Sequence, residues 1–416
     1  MRIKSLQVTN LRAFEQAEFE FMPRVNLLVG VNGVGKTTVL DALRMCLSKI
    51  LLDITASRSR KIPFVDEDIR VQSNFMTVNC TFELQDKDFT FIVHKNRESS
   101  VPLDSTNIRE QVLETPDKES YHPFLPVSSH NSKKALSNQL GVFFSTRRSL
   151  VSDAFPSVYK SSGGPSGAYA EALISRELRL AEIAHWMHVQ EELGRENPLS
   201  IKHFSALQEA TERFLPKCKN LRAEVSAKPQ LIVDKAGVTL NLRQLSDGER
   251  GMFSLVLDLA KRLSQANPQL DNPIKDGSAI VLIDEIDLHL HPKWQRTVIK
   301  QLTETFPKCQ FIATTHSPQI VAAVEPEQVL LLTNSGVIHP DRTRGLDSNW
   351  ILRHLMEADD RPSESSSAVR EVESLISDAE FEGARAAIAK YRRTGLDLPE
   401  WSMLEARMAR MELLGE

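Results

Sequence analysis

Cysteine is scarce: Cys46, Cys80, Cys218 and Cys309 are the only four in 416 residues, far apart and never arranged as Cys-x-x-Cys. That spacing argues against a disulfide framework or a zinc ribbon and for free thiols in a reducing compartment. Long apolar runs are missing too. No stretch of 18 apolar residues occurs, and the opening MRIKSLQVTNLRAF has no apolar signal core, so the chain reads as an untargeted cytoplasmic protein with no membrane partner. There is no long heptad array and no internal repeat, which excludes a coiled-coil arm.

A large excess of charge is equally absent. The composition, 41% hydrophobic and 25% charged with a net charge of -4, is that of an ordinary globular protein, and the length allows two or three domains or one large domain with insertions. The small net charge hides an asymmetry. Residues 347 to 416 hold 15 acidic and 9 basic residues, whereas the first 346 hold 40 and 42. The acidic tail reads as a solvated helical surface or as a face for a basic partner. Overall charge therefore gives no argument for direct nucleic-acid binding, although the clusters Arg58/Arg60/Lys61, Lys133/Lys134 and Arg147/Arg148 leave room for it.

What is present is an alternation of strands and helices. Phe19 and Phe21, then Val78 to Leu84, then Phe89, Phe91 and Val93 alternate as in half-buried strands. Val25 to Val29 is a short, mostly apolar run ending at Gly30, and Leu40, Leu43, Leu47 and Leu51 follow at helical spacing. LGVFFSTRR predicts one more buried strand after an irregular stretch containing SSHNSKK, and SSGGPSG predicts a flexible joint. From Ala168 to Phe214 the pattern is helical. Leu231 to Val233 and Val238 to Leu242 predict a hairpin, followed by a helix, the strand AIVLIDE, a helix from Trp294 to Phe306, and the strand QFIATTHS. SESSSA, 363 to 368, reads as a polar spacer before short tail helices. The expected architecture is α/β, with a mostly parallel central sheet, an antiparallel N-terminal β meander, a helical insertion and a helical C-terminal tail. The expected segments are 1–150, 151–230 (the insertion), 231–340 and 341–416.

The stretch VLIDEIDLHLHP sets three carboxylates, Asp284, Glu285 and Asp287, beside His289 and His291. Taken locally this is either a metal site of its own or half of a nucleotide site. The other half is GVNGVGKT, residues 30 to 37, which satisfies GxxxxGK[ST] between a buried strand and a helix. Its glycines let successive N–H groups face phosphate oxygens, Lys36 would reach the β- and γ-phosphates, and Thr37 would ligate Mg2+. Four apolar residues ahead of Asp284 make a strand carrying a Mg2+-binding Asp, followed by a Glu able to polarise water. On that reading the histidines belong to the turn after the strand.

LSDGERG, residues 245 to 251, would by itself pass as a helix cap. Its place between the glycine loop and the Asp-Glu strand, with Thr314-Thr315-His316 ending a later strand, resembles the ABC-type ATPases, in particular their SMC and RecF branch. The resemblance implies Asn32, Gly33, Gly35, Lys36, Thr37 and Thr38 around ATP, with Thr37 and Asp284 on Mg2+. It implies Glu285 and His316, with Lys36, as the catalytic groups, and Asp287 in the following loop. It also implies a head-to-tail dimer of heads, in which Ser246, Gly248 and Glu249 of one subunit complete the site of another. The glutamine of the family's Q-loop is not evident: Gln139 precedes the VFF strand, and Ser145 to Arg148 follow it.

The tail narrows the resemblance. DSNWILRHLMEADDRPSE followed by VESLISDAEFEGARAAIAKYRRTGLDLPEW resembles the end of PtuA ATPases from Septu-type anti-phage systems and retron loci. The matched features are Asp347-Ser348-Asn349, Arg361-Pro362, Ile376-Ser377-Asp378 and an alanine-rich helix from Ala384 to Tyr391. The resemblance implies a small HNH endonuclease of the PtuB type as partner, docked on the tail or head, with DNA met through that partner and assembly beyond a dimer. Only about eighty residues follow Leu332, they read as helices, and Asp359-Asp360 precedes a helix-breaking segment. No nuclease site of its own is therefore expected. The competing reading is a RecF-like repair clamp acting on DNA directly.

Overall fold

The computed structural model describes residues 1–55, 57, 59–97, 138–150, 165–175, 177, 179–224, 229–333, 336–356 and 363–414. SSHNSKK with its Lys133 and Lys134, Arg58, Asp359-Asp360 and Arg361-Pro362 lie outside them, as does most of SSGGPSG. The chain divides into two units, Met1–Asp347 and Ser348–Glu416.

The first unit runs β1 (Arg2–Leu11), β2 (Phe14–Glu20), β3 (Val25–Val29), α1 (Lys36–Ile54), β4 (Phe75–Leu84), β5 (Lys87–Asn96) and β6 (Leu140–Phe144). It continues with α2 (Leu180–Leu193), α3 (Pro198–Phe214), β7 (Cys218–Glu224), β8 (Gln230–Lys235), β9 (Val238–Asn241), α4 (Asp247–Ala266), β10 (Ala279–Ile283), α5 (Val298–Thr305), β11 (Gln310–Thr314), β12 (Val329–Thr333) and β13 (Gly336–Ile338). The central sheet has the order β13-β12-β3-β11-β10-β6. Its first five strands from β6 to β12 are parallel, and β13 turns back antiparallel at the edge. β3, β6, β10 and β11 are buried at every residue, which is why they read as unbroken apolar runs and not as alternation.

β1, β2, β4 and β5 form a separate antiparallel sheet in the order β2-β1-β4-β5. Here the alternation seen in the sequence is real: along β4 every second residue from Met76 to Leu84 is buried, against the same core that α1 fills with Leu40, Leu43 and Leu47. One side chain ties the two sheets together. Gln310, at the start of β11 and 2% exposed, accepts from the Ile3 N–H (2.7 Å) and donates to the carbonyls of Ile3 (2.8 Å) and Met22 (2.9 Å).

α4 is buried from Gly251 to Ala266, so its charges have to be paired. Asp258 pairs with Arg262 at 2.8 Å, Arg262 also donates to the Ala168 and Ala170 carbonyls, and Lys261 pairs with Glu182 of α2. The hairpin of β8 and β9 has the register expected of it, Lys235 opposite Val238. β7 joins its other side, in a region that the sequence pattern assigns to the helical insertion. A register shift between Lys219 and Arg222 places buried Cys218 and Leu221 three residues apart, so no strand period shows. The helix expected from Trp294 to Phe306 is broken into Pro292–Gln295 and α5. Thr297 sits between them and returns its hydroxyl to the Trp294 carbonyl at 3.3 Å, competing with the backbone ladder.

In the second unit α6 (Ser348–His354) is followed by α7 (Ser363–Ser377), α8 (Phe381–Arg393) and α9 (Glu400–Leu414). The last three enclose their own core around fully buried Trp401, with Val372, Ile376, Ile388 and Met408. SESSSA is not a spacer: it forms the first turns of α7, because the buried stripe Ala368, Val372, Ile376 begins inside it. Among the described residues no helix is long and apolar enough to cross a membrane.

The bridge at Gln310 makes a specific claim about stability. Gln310→Leu leaves the buried Ile3 N–H and C=O unmatched, each at a cost of about 1–3 kcal/mol, while the Met22 carbonyl keeps its bond from the Asn26 side-chain amide at 2.9 Å. Scanning calorimetry of the variant should show the head melting several degrees lower; an unchanged Tm would remove the bridge from the account.

Candidate nucleotide site

The site is built where the parallel strands end. In the ladder Thr314 lies opposite Leu28, and Ala313 opposite Ile283. The loop after β3, the carboxylates after β10 and the Thr-Thr-His after β11 therefore emerge at one level, at the carboxyl edge where α/β sheets place ligands.

From β3 the chain turns through Gly30, Gly33 and Gly35, with φ of 151°, 82° and 107°. Two of these glycines are demanded by packing as well. A Cβ on Gly30 would stand 2.5 Å from the Leu332 carbonyl, and one on Gly35 would stand 2.4 Å from the Phe14 ring. α1 then begins with no side-chain cap and no acidic residue in its first turn. Its first amides thus stay available, with the helix dipole, for an anion. Asn32 and Thr37 are exposed at the loop, while Thr38 is buried. Lys36, 7% exposed, curls back so that its ammonium donates to the carbonyls of Gly30 and Val31, both at 2.8 Å. Burial lowers its pKa, and the charges of Asp284, Glu285 and Asp287 oppose that shift.

The carboxylates of Asp284 and Asp287 are oriented by β11 and the residue after it, and Glu285 is held there through its backbone N–H. The Thr314 hydroxyl donates to Asp284 Oδ1 (2.8 Å) and accepts from the Glu285 N–H (2.6 Å). Asp284 is left with a second oxygen that has no hydrogen-bond partner among the described residues, as a cation ligand requires. Thr315 donates to Asp287 Oδ1 at 2.6 Å, and the His316 N–H reaches the same oxygen at 3.2 Å. His316 is half-buried, and its ring has no hydrogen-bond partner among the described residues. His289 is exposed in a left-handed turn (φ 61°), and His291 caps the next helix by accepting from the Lys293 N–H at 3.2 Å. Both histidines thus belong to the turn.

Glu285 has φ 47°, a left-handed conformation that costs a side-chain-bearing residue about 1–2 kcal/mol. The residue that meets it was missed by sequence reasoning. Arg148, in the turn after β6, is 6% exposed and donates to the carbonyls of Asp284 (2.7 Å) and Glu285 (2.6 Å). Hydrogen bonds from a charged donor contribute about 1.5–3 kcal/mol each, enough to hold that conformation. Burial lowers the Arg148 pKa to about 10, against the charges of Asp287, Asp284 and Glu285, and it remains a cation at neutral pH. The sequence signal is present as Arg147-Arg148, a basic cluster that leaves room for nucleic-acid binding; of the two, Arg147 is exposed and Arg148 is buried. Gln139 accepts from the N-terminal amine at 2.7 Å and precedes β6, one strand length away from Asp284, whereas Ser145 to Arg148 follow β6 at the level of the acidic pair.

Ser246 and Glu249 form a reciprocal capping box at the start of α4. The Ser246 hydroxyl accepts from the Glu249 N–H (3.4 Å), and the Glu249 carboxylate accepts from the Ser246 N–H (3.1 Å) and pairs with Lys235 (2.6 Å). Gly248 is required by a close approach: a Cβ there would lie 2.4 Å from the His289 carbonyl. The chain thus brings Lys36, Asp284, Glu285, Asp287 and His316 together. Among the described residues no hydrogen bond or ion pair joins Ser246, Gly248 or Glu249 to the glycine loop.

A phosphate cradle facing an oriented acidic pair across parallel strand ends defines an ATPase head of the ABC type. The chain belongs to the family described as "AAA domain, putative AbiEii toxin, Type IV TA system", whose model matches residues 25–322. It is 28% identical over 427 residues to the Retron Ec83 probable ATPase of Escherichia coli, covering 88% of this chain and 78% of that protein. It is 24% identical to the Septu protein PtuA of Bacillus thuringiensis, covering 79% and 75%. The resemblance to Septu and retron ATPases read from the tail and motifs is thereby borne out. A crystal structure of the SmcHead bound to the C-winged helix domain of ScpA superposes with a TM-score of 0.47 at 13% identity, over 78% of this chain and 92% of that one.

Lys36→Ala removes the cation of the loop that would meet β- and γ-phosphates. Titration with a fluorescent ATP analogue should show binding weakened at least about a hundredfold, as expected for loss of a charge-assisted phosphate contact; retained affinity would contradict the loop's assignment.

Proposed function

We propose that this chain is a nucleotide-gated ATPase that controls a small HNH endonuclease partner in anti-phage defence. The observation that carries the ATPase part is the strand register that brings the glycine loop with Lys36, under an uncapped helix start, to the same sheet edge as the Asp284–Glu285–Asp287 turn. Thr37 and Asp284 would hold Mg2+, which supplies charge neutralisation to the phosphates when bound. Lys36 would exchange the carbonyls of Gly30 and Val31 for phosphate oxygens, and Asn32, Gly33, Gly35 and Thr38 would line the cradle. Glu285 would take the proton of the attacking water, and His316, whose ring has no hydrogen-bond partner among the described residues, would meet the γ-phosphate.

By resemblance to the ABC-type ATPases, Ser246 and Gly248 of one head would close the site of the other in a head-to-tail dimer. Glu249 serves that helix end through its cap, its charge already matched by Lys235. The nucleotide then acts as a ligand that favours one arrangement of the heads, with or without rapid turnover. The partner is inferred from the relatives named Septu protein PtuA and Retron Ec83 probable ATPase. Its docking face would be the acidic tail or the head, and contact with DNA would run through it.

The test is expression of this chain with its native flanking genes, followed by purification on a tag and intact mass measurement. A co-purifying small protein with an HNH motif is the expected result. An ATPase that comes out alone and binds DNA in an ATP-dependent, salt-sensitive way would replace this reading with a repair clamp.

A further inference from the structure

Binding ATP does not by itself call for a buried arginine behind the acidic pair. Arg148 makes three hydrogen bonds, to the carbonyls of Ser145 (3.3 Å), Asp284 (2.7 Å) and Glu285 (2.6 Å). Among the described residues none goes to a carboxylate, although three acids lie close enough to stabilise its charge. The guanidinium is therefore spent on backbone shape. Its fork reaches the two carbonyls that flank the left-handed Glu285, while Thr314 Oγ1 holds the Glu285 N–H at 2.6 Å and the Thr314 carbonyl accepts from Ile286 at 2.9 Å. With those four bonds the peptide geometry on both sides of Glu285 is fixed from two directions: β11 on one side and the turn after β6 on the other. A lysine cannot reproduce this, because a single ammonium on a flexible stem does not present a planar pair of donors.

We propose that Arg148 is a positioning residue for ATP hydrolysis, holding the strained Asp284–Glu285 backbone from which the Glu285 carboxylate acts. This rests on the reading of Glu285 as the group that takes the water's proton. It assigns to the turn after β6 a task done through the main chain of the acidic pair, by a guanidinium whose hydrogen bonds among the described residues go to backbone carbonyls.

The experiment uses the full chain as Arg148→Lys and Arg148→Ala, with nucleotide affinity, KM, kcat and Tm measured for each, and kcat repeated with millimolar guanidinium. The expected result is affinity and KM within about twofold of the parent and kcat down about ten- to hundredfold, as a misplacement of around 1 Å at the reacting group produces. Guanidinium should restore part of the Arg148→Ala turnover and leave the parent unchanged. Turnover within twofold of the parent would overturn the proposal. So would a joint fall of affinity, kcat and Tm without rescue, which is what a purely structural brace predicts. If Arg148→Ala does not fold, Arg148→Lys decides alone, by whether kcat falls at unchanged affinity. Absence of hydrolysis in the parent would instead remove Glu285 from its role, and is distinct from active variants in an active parent.

Discussion

The register of four parallel strands is the constraint on which the site depends. Because β3, β6, β10 and β11 are hydrogen-bonded neighbours in the pairs β3–β11, β11–β10 and β10–β6, their carboxyl ends fall at one level. The glycine loop, the acidic pair, the Thr-Thr-His segment and the Arg148 turn come from positions as distant as residues 30 and 316, and only the sheet brings them together. A slip of one residue in any pairing would turn the wrong side chain toward the loop. The full burial of these strands opposes such a slip, and Gln310 fixes the start of β11 to the antiparallel sheet.

At that edge the chain keeps several groups in conditions that are unfavourable alone. Lys36 is desolvated, Glu285 is left-handed, Arg148 is buried, and Asp284 and Asp287 converge. Each is offset by another: the acids stabilise both cations, and Arg148 and the two threonines fix the acids. The signature helix shares this arrangement, although among the described residues no hydrogen bond joins it to the glycine loop. Gly248 lies against the His289 carbonyl, and Arg250 donates to the Ser149 carbonyl at 3.4 Å, one residue beyond Arg148. The half-site proposed to serve a second head therefore rests on the same two turns that shape this head's acidic pair.

Much of this was legible in the sequence, where a local pattern and a local physical cause coincide. Unbroken apolar runs gave the parallel strands, GVNGVGKT gave the loop with its left-handed glycines, and Ser246 with Glu249 gave the capped start of α4. What was not legible depends on partners far away in the chain. Arg148 acquires its meaning from a strand pairing across more than a hundred residues, and the same two letters on a surface would read as a basic patch. Phe14 is an ordinary strand residue until Gly35 is found beneath its ring. β7 was hidden by its register shift, and SESSSA by a composition typical of linkers, although the apolar stripe that makes it helical begins at its last residue.

The central claim is that a complete site needs residues from two heads, and the most direct measurement is turnover of mixed variants. Ser246→Arg should block the face one head offers its partner, and Lys36→Ala should empty the loop; each alone should be inactive. Mixed in equal amounts, they should recover up to about a quarter of parental ATP hydrolysis, since half of randomly formed dimers pair unlike subunits and each such dimer keeps one intact site of two. No recovery from two folded, associating variants, or full activity in Ser246→Arg alone, would contradict the shared site.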